Sequence, residues 1–195
     1  INGGTKRYIE YMSKIWESGD AQEDAFHLDC GWTVTNGSPS LTVTGLWHLE
    51  GESVKPYPDG VNHPAVTVTN GTITLNNAAT IVTLGYAYQS DGQTLPLEGG
   101  SQNGTSQGKV KRIHQIKFWL MDTLGLQFGP DADNLTELLV RTFGSDFGVA
   151  TPLYTGVVRQ RFEGDFDMLG QVYWRCEGPF PATVLAIMPD IRVNG

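Results

Sequence analysis

Apolar and polar residues alternate over short stretches through most of this chain, and turn residues bound each stretch. The clearest case is VTVTNGTITL at 66–75, with an apolar residue at every second position on both sides of Asn70-Gly71. Asn-Gly suits a two-residue type I′ turn, which needs positive φ at both central positions. The expected hairpin pairs Thr69 with Thr72, Val68 with Ile73, Thr67 with Thr74 and Val66 with Leu75. Opposed residues share a face, so Val66, Val68, Ile73 and Leu75 point into a core and four threonines point away from it. Similar short patterns recur in AFHLDCGWTV (25–34, before a turn at Asn36-Gly37), LTVTGLWHLEG (41–51, broken at Gly45), TIVTLGYAY (80–88), LYTGVV (153–158), QVYWRCEG (171–178) and ATVLAIM (182–188). VKPYPDG at 54–60, with two prolines and an Asp-Gly, reads as a loop or edge turn. The expectation is an all-β, mainly antiparallel protein of the sandwich or small-barrel kind, with at most one or two short helices.

Four stretches depart from this pattern. KVKRIHQIKFWLMD at 109–122 reads as a long strand, but Val110, Ile113, Ile116 and Phe118 fall out of strict alternation, and one bulge near Arg112 restores the phase. TKRYIEYMSKIWE at 5–17 has helical spacing through Tyr8, Tyr11, Met12 and Ile15, with a strand and irregular turn as the alternative. DNLTELLVR at 133–141 fits either a helix capped by Asn134 and Glu137 or a short strand. LEGGSQNGTSQGK at 97–109 has the composition of a mobile surface loop.

Composition agrees with a turn-rich β protein: 24 of 195 residues are glycine and only 17% are charged. The length suits one or two domains. Thirteen basic against 21 acidic side chains give a net charge of −8, which disfavours gripping nucleic acid but is compatible with a surface that faces DNA without holding it. The longest late apolar run, ATVLAIM, is too short to span a bilayer. Cys30 and Cys176 are expected to be unpaired thiols. The chain opens on Ile1 rather than Met, which reads as a fragment of a longer polypeptide.

Chemical motifs are weak. GTSQGK at 104–109 has the wrong glycine spacing for a phosphate loop, and Val110 stands where a magnesium-binding hydroxyl belongs. His27, His48, His63 and His114 lack ligand spacing, and DADN at 131–134 lacks the rest of a calcium loop. Glu163, Asp165 and Asp167 supply the carboxylates of a rival reading as a glycoside hydrolase, though alternate acids on a strand are ordinarily its solvated face. There is no GxSxG, and neither cysteine has a catalytic neighbourhood. No cofactor is called for. Lys109, Lys111, Arg112 and Lys117, with His114 among them, form the one basic concentration and are read as a strand gatekept by charges or an interface edge, with a groove contact for nucleic acid as the alternative. Tyr57, Tyr86, Tyr88 and Trp47 are the aromatics available to a second rival, a glycan- or receptor-binding module.

The run GLWHLEGESV (45–54), PDG (58–60), VTNGTITL (68–75) and VTLGYAY (82–88) resembles a segment of tail proteins from short-tailed bacteriophages. That segment is often labelled by similarity to the small β-barrel of ubiquitin-activating enzymes, a label for a barrel and not for an activity. RYIE (7–10), LDCGWT (28–33), the loop before KVKRI, LYTG (153–156) and PFPATVLAIMPDI (179–191) follow the family's general order. The resemblance implies a nozzle- or hub-like virion protein that forms a ring with copies of itself. It would meet other tail or portal-adaptor proteins and lie near packaged double-stranded DNA. It also implies a small antiparallel barrel at 38–88, packed on or inserted into a second β-rich domain of 1–37 plus 89–195. Gly45, His48, Glu50, Gly51, Asp59, Gly60, Asn70 and Gly71 are then turn and motif residues rather than catalytic ones. Leu46, Leu49, Val54, Val66, Val68, Ile73, Leu75, Val82 and Leu84 are expected to fill the barrel.

Overall fold

A computed structural model describes residues 9–12, 14–99, 104–138, 140 and 148–194. The protein is all-β, with antiparallel sheets and two three-residue 3-10 turns, Gln22–Asp24 and Trp47–Leu49, as its helical content among the described residues. The chain divides into two compact units.

The first unit is drawn from Ile1–Tyr88, Arg141–Pro152 and Gly178–Pro181. It holds β1 (Asp29–Thr44), β2 (Ser53–Pro58), β3 (Val66–Thr67) and β4 (Thr72–Tyr86), hydrogen-bonded in the order β1-β4-β2-β3. β4 curls so that its start, at Thr72, bridges to Thr69 after β3 and pairs with Thr44 of β1, while its far end pairs with β2. Val43, Leu46, Leu49, Val54, Val68, Ile73, Leu75, Ala79, Val82 and Leu84 form its buried core, with Val66 packed against them.

The unit takes in more chain than the 38–88 segment. β1 starts at Asp29 and runs unbroken past residue 38, pairing Trp32 with Leu84 and Thr44 with Thr72. Asn36-Gly37 does not separate two strands. The register jumps from Thr35↔Ile81 to Ser40↔Ala79, so β1 carries extra residues here as a bulge, and the Asn36 amide donates to the Ala79 carbonyl at 3.3 Å. Of VKPYPDG, only Asp59-Gly60 forms the expected turn; Lys55, Pro56, Tyr57 and Pro58 are strand and pair with Gly85, Leu84, Thr83 and Val82. β3 reaches only Ser53 and Val54, so the prolines lie where β2 is paired on one side alone, which a missing N–H tolerates.

The turn at Asn70-Gly71 has φ of +54° and +64°, and Thr69 pairs with Thr72 across it. Beyond that one pair the arms part. Val66 pairs with Val54 and Thr67 with Ser53, while Ile73 and Thr74 pair with Val43 and Thr42. Val66, Val68, Ile73 and Leu75 face inward as expected, whereas of the expected cross-turn pairs only Thr69–Thr72 forms. Alternation fixes which face a residue takes; it does not say which neighbouring strand satisfies its backbone.

The second unit is drawn from Gln89–Val140, Leu153–Glu177 and Ala182–Gly195. One sheet has the order β5-β10-β7-β8, from Gln89–Gln93, Tyr173–Glu177, Leu126–Gly129 and Thr136–Glu137 respectively. The other has the order β11-β6-β9, from Thr183–Asn194, Val110–Thr123 and Tyr154–Arg161. Both sheets contribute to one core that includes Ile113, Ile116, Phe118, Leu120, Leu126, Phe128 and Val172. Phe118 and Phe128 meet with ring centroids 5.2 Å apart.

The expected phase repair in β6 falls at His114. Ile113 pairs with Ile191 and Gln115 with Asp190, so His114 is the extra residue, and Ile113 and Ile116 both face inward.

Tyr8 and Ser13 lie outside the described residues; of the helix expected over 5–17, residues 9–12 and 14–17 are irregular. Ile9, Tyr11 and Met12 are each 90% exposed or more, so the apolar stripe has nothing to pack on, and a short helix draws its stability from such packing. At 133–141, Thr136–Glu137 is a short strand on β7, while Leu139 and Arg141 lie outside the described residues. The Asn134 side chain bonds Asp131 in a turn instead of capping a helix. Of the loop at 97–109, residues 100–103 lie outside the described residues.

Candidate functional site

The motif residues of the first unit are held in turns. Gly45, Gly51 and Gly60 have φ of +89°, +79° and +76°, which L side chains resist, and Asp59 joins Gly60 at +45°. The Glu50 carboxylate accepts the N–H groups of Asn70 (2.8 Å) and Gly71 (2.6 Å), so a residue twenty positions upstream caps the Asn-Gly turn. The Asp59 carboxylate likewise accepts the N–H groups of Thr80 (3.0 Å) and Ile81 (2.7 Å). His48 lies against Trp32, with ring centroids 5.8 Å apart. Glu50→Ala is expected to destabilise the unit by about 1.5–3 kcal/mol, the range for hydrogen bonds to a charged group, with Glu50→Gln losing less. Urea denaturation measures it; equal midpoints for parent and Glu50→Ala would contradict the cap.

The basic stretch is divided by strand alternation. Lys111 points into the second unit and is 1% exposed; its Nζ donates to the Met168 carbonyl at 3.0 Å, and its backbone pairs with Asp167 in both directions. Lys111 is therefore withdrawn from the interface expected of it. Lys109 is half-buried in a turn on the Ser106 carbonyl. Arg112 and Lys117 lie on the opposite face of β6 from the core, and Arg112 sits over the Phe166 ring at 5.5 Å.

That outer face gathers cations the basic stretch alone did not reveal. Lys117 is directly opposite Arg159, Gln115 opposite Arg161, and Arg112 opposite Arg192. Trp119 is opposite Val157, and the bulged Leu185 lies beside them; the three are 51%, 54% and 50% exposed. Arg112, His114, Arg192 and Phe166 line a depression of about 370 Å³. Arg159, Arg161 and Arg192 are not among the residues singled out from the sequence; strand pairing sets Arg159 beside Lys117 and Arg192 beside Arg112.

Elsewhere in the unit a cross-strand cation is answered by an acid. Arg175 is opposite Asp91 and donates to it at 2.8 and 3.0 Å, and this guanidinium holds the Asp91 carboxyl down at about 2. On the outer face Asp190 approaches His114 at 3.4 Å, while the side chains of Lys117, Arg159, Arg161 and Arg192 have no hydrogen-bond or ion-pair partner among the described residues.

The carboxylates of the hydrolase rival border a cleft of about 620 Å³, lined also by Arg112, Arg161 and Phe162. Asp167 is already the acceptor for the N–H groups of Leu169 and Gly170, at 3.0 and 2.8 Å. Glu163 and Asp165 are exposed. Both cysteines are free. Burial pushes the Cys176 thiol up to about 11 and is also the main cause, ahead of Glu10, that takes Cys30 to about 11, so both stay protonated near neutral pH. Among the aromatics of the glycan-binding rival, Tyr57 is fully buried, its hydroxyl accepting from Gln22 at 3.1 Å, whereas Trp47 and Tyr88 are exposed.

Among the described residues, no group of three or more His, Cys, Asp or Glu side chains is placed to hold a metal ion, and no helix is long and apolar enough to cross a membrane. No family model matches the chain, and no curated protein matches it.

Proposed function

We propose that this chain is a non-catalytic structural module of a short-tailed phage tail, part of a nozzle- or hub-like ring around the DNA channel. In the virion it joins copies of itself and other tail or portal-adaptor proteins. The phage assignment rests on the sequence resemblance across residues 45–88. The structural role rests on one observation: the distinctive charged groups of that segment, Glu50 and Asp59, are engaged in fastening backbone turns. A carboxylate holding two amides is a brace, and a subunit that bears load in a ring requires braces and matching surfaces rather than a reaction centre.

The test is electron-microscope imaging of the full-length product of this reading frame, beside a glycan array and a reducing-end assay on bacterial surface polysaccharides. Rings with an open centre and silence in both assays are expected. Saturable glycan binding lost in Trp47→Ala would replace this reading with a receptor-binding module. Reducing-end release lost in Asp165→Asn would replace it with a hydrolase.

A further inference from the structure

The outer face of β11-β6-β9 combines features that do not favour the isolated fold. Lys117 faces Arg159 and Arg112 faces Arg192, and like charges directly opposed across a ladder are destabilising. No carboxylate among the described residues pairs with Lys117, Arg159, Arg161 or Arg192. Next to Lys117 and Arg159, at one end of this row of cations, lie Trp119, Val157 and Leu185, each about half exposed, in a chain whose net charge is −8. A basic row that ends in an apolar patch fits a partner surface that is acidic with apolar side chains of its own. DNA meets the charge requirement but leaves the apolar patch unused, since phosphates do not desolvate Trp119.

The same chain carries the complementary surface. Residues 9–12 and 14–17 are irregular; Ile9, Tyr11, Met12 and Ile15 are strongly exposed, and Glu10 and Glu17 stand among them. Six acids, Glu10, Glu17, Asp20, Glu23, Asp24 and Asp29, fall within residues 9–29, against one lysine, Lys14, which is held by Asp20 at 2.9 Å. We propose that the outer face of β11-β6-β9 is a self-association surface that receives this acidic and apolar amino-terminal stretch from a second copy. Glu10 and Glu17 answer the Lys117 and Arg159 pair, and the exposed apolar side chains cover Trp119 and Val157. The inference deepens the ring reading by naming its contact, and rests on that reading for the partner being a second copy.

Sedimentation analysis of three proteins tests it: the parent chain, a face variant (Lys117→Glu with Arg159→Glu) and an arm variant (Glu10→Lys with Glu17→Lys). The parent is expected to self-associate, more weakly as salt rises, because the cations of the face are exposed to screening. Each variant alone is expected to lose at least about tenfold in affinity. Their equimolar mixture is expected to regain association, since one supplies an intact face and the other an intact arm; an unfolded variant cannot complement. A parent that stays monomeric, or a mixture that stays dissociated, overturns the proposal. Parent binding to a double-stranded oligonucleotide that the face variant loses overturns it in favour of nucleic acid. Full-length rings that persist with the face variant overturn this inference and leave the ring reading intact; complementation without rings does the reverse.

Discussion

Gly71→Val is expected to destabilise the first unit by about 1–3 kcal/mol. Part of this comes from backbone handedness: at φ +64° an L side chain costs about 1–2 kcal/mol, and β-branching makes it worse. The rest comes from Trp47. A Cβ on Gly71 would stand 2.6 Å from two atoms of that indole, so the ring must leave its place; because Trp47 is 67% exposed it can swing into solvent, and this adds less than about 1 kcal/mol. Chemical denaturation of Gly71→Val beside Gly71→Asn separates the contributions, because asparagine tolerates the left-handed region yet still meets the indole. Asn70→Gly retains the turn and is expected to stay close to the parent. If Gly71→Val unfolds at the parent's midpoint, neither the turn nor the Trp47 contact is as described.

That expectation comes directly from the letters Asn-Gly, and much else in the fold was equally legible. Leu46, Leu49, Val54, Val68, Ile73, Leu75, Val82 and Leu84 are core residues because alternation and apolarity speak to burial whichever strand lies next door. What the letters could not reveal was the partner. Thr67 and Thr74 are equidistant from the turn, yet β2 takes one and β1 the other. Pairing is a tertiary choice among several unsatisfied edges, and nothing in VTVTNGTITL ranks them. The same blindness hid Pro56 and Pro58, which sit in a strand because its far side is free there, and read Asn36-Gly37 as a turn where the strand bulges.

The candidate surface was half legible for a related reason. Lys109, Lys111, Arg112 and Lys117 look like one patch along the sequence, but a strand sends neighbours to opposite faces. Lys111 lies under the core with its ammonium on the Met168 carbonyl, and Lys117 keeps company instead with Arg159 from β9. A surface assembled from three strands has no contiguous signature. Only the structure adds Arg159, Arg161 and Arg192 to Arg112 and Lys117.

Deleting Lys117 is expected to destabilise the second unit by about 3–6 kcal/mol, the cost of throwing β6 out of phase. Lys117 is the outward residue between Ile116 and Phe118, which are both fully buried. Without it the two become neighbours, and a strand sends neighbours to opposite faces. If Phe118 and Leu120 keep their places, Ile116 enters water, losing about 1.5–3 kcal/mol of burial, and Gln115 is driven inward. An amide placed there would need new partners, and leaving it unpaired costs about 1–3 kcal/mol more. If Ile113 and Ile116 keep theirs, Phe118 and Leu120 turn outward and the Phe118–Phe128 contact is lost. Deleting His114 has the opposite consequence. It is the extra residue of the bulge, so its loss leaves Ile113 and Ile116 two positions apart, with Lys111, Ile113, Ile116, Phe118 and Leu120 in strict alternation and all inward. That variant is expected to unfold as cooperatively as the parent. Circular dichroism and urea titration of the two deletion variants side by side decide the matter, and a Lys117 deletion as stable as the His114 deletion would show that β6 holds its phase by some other means.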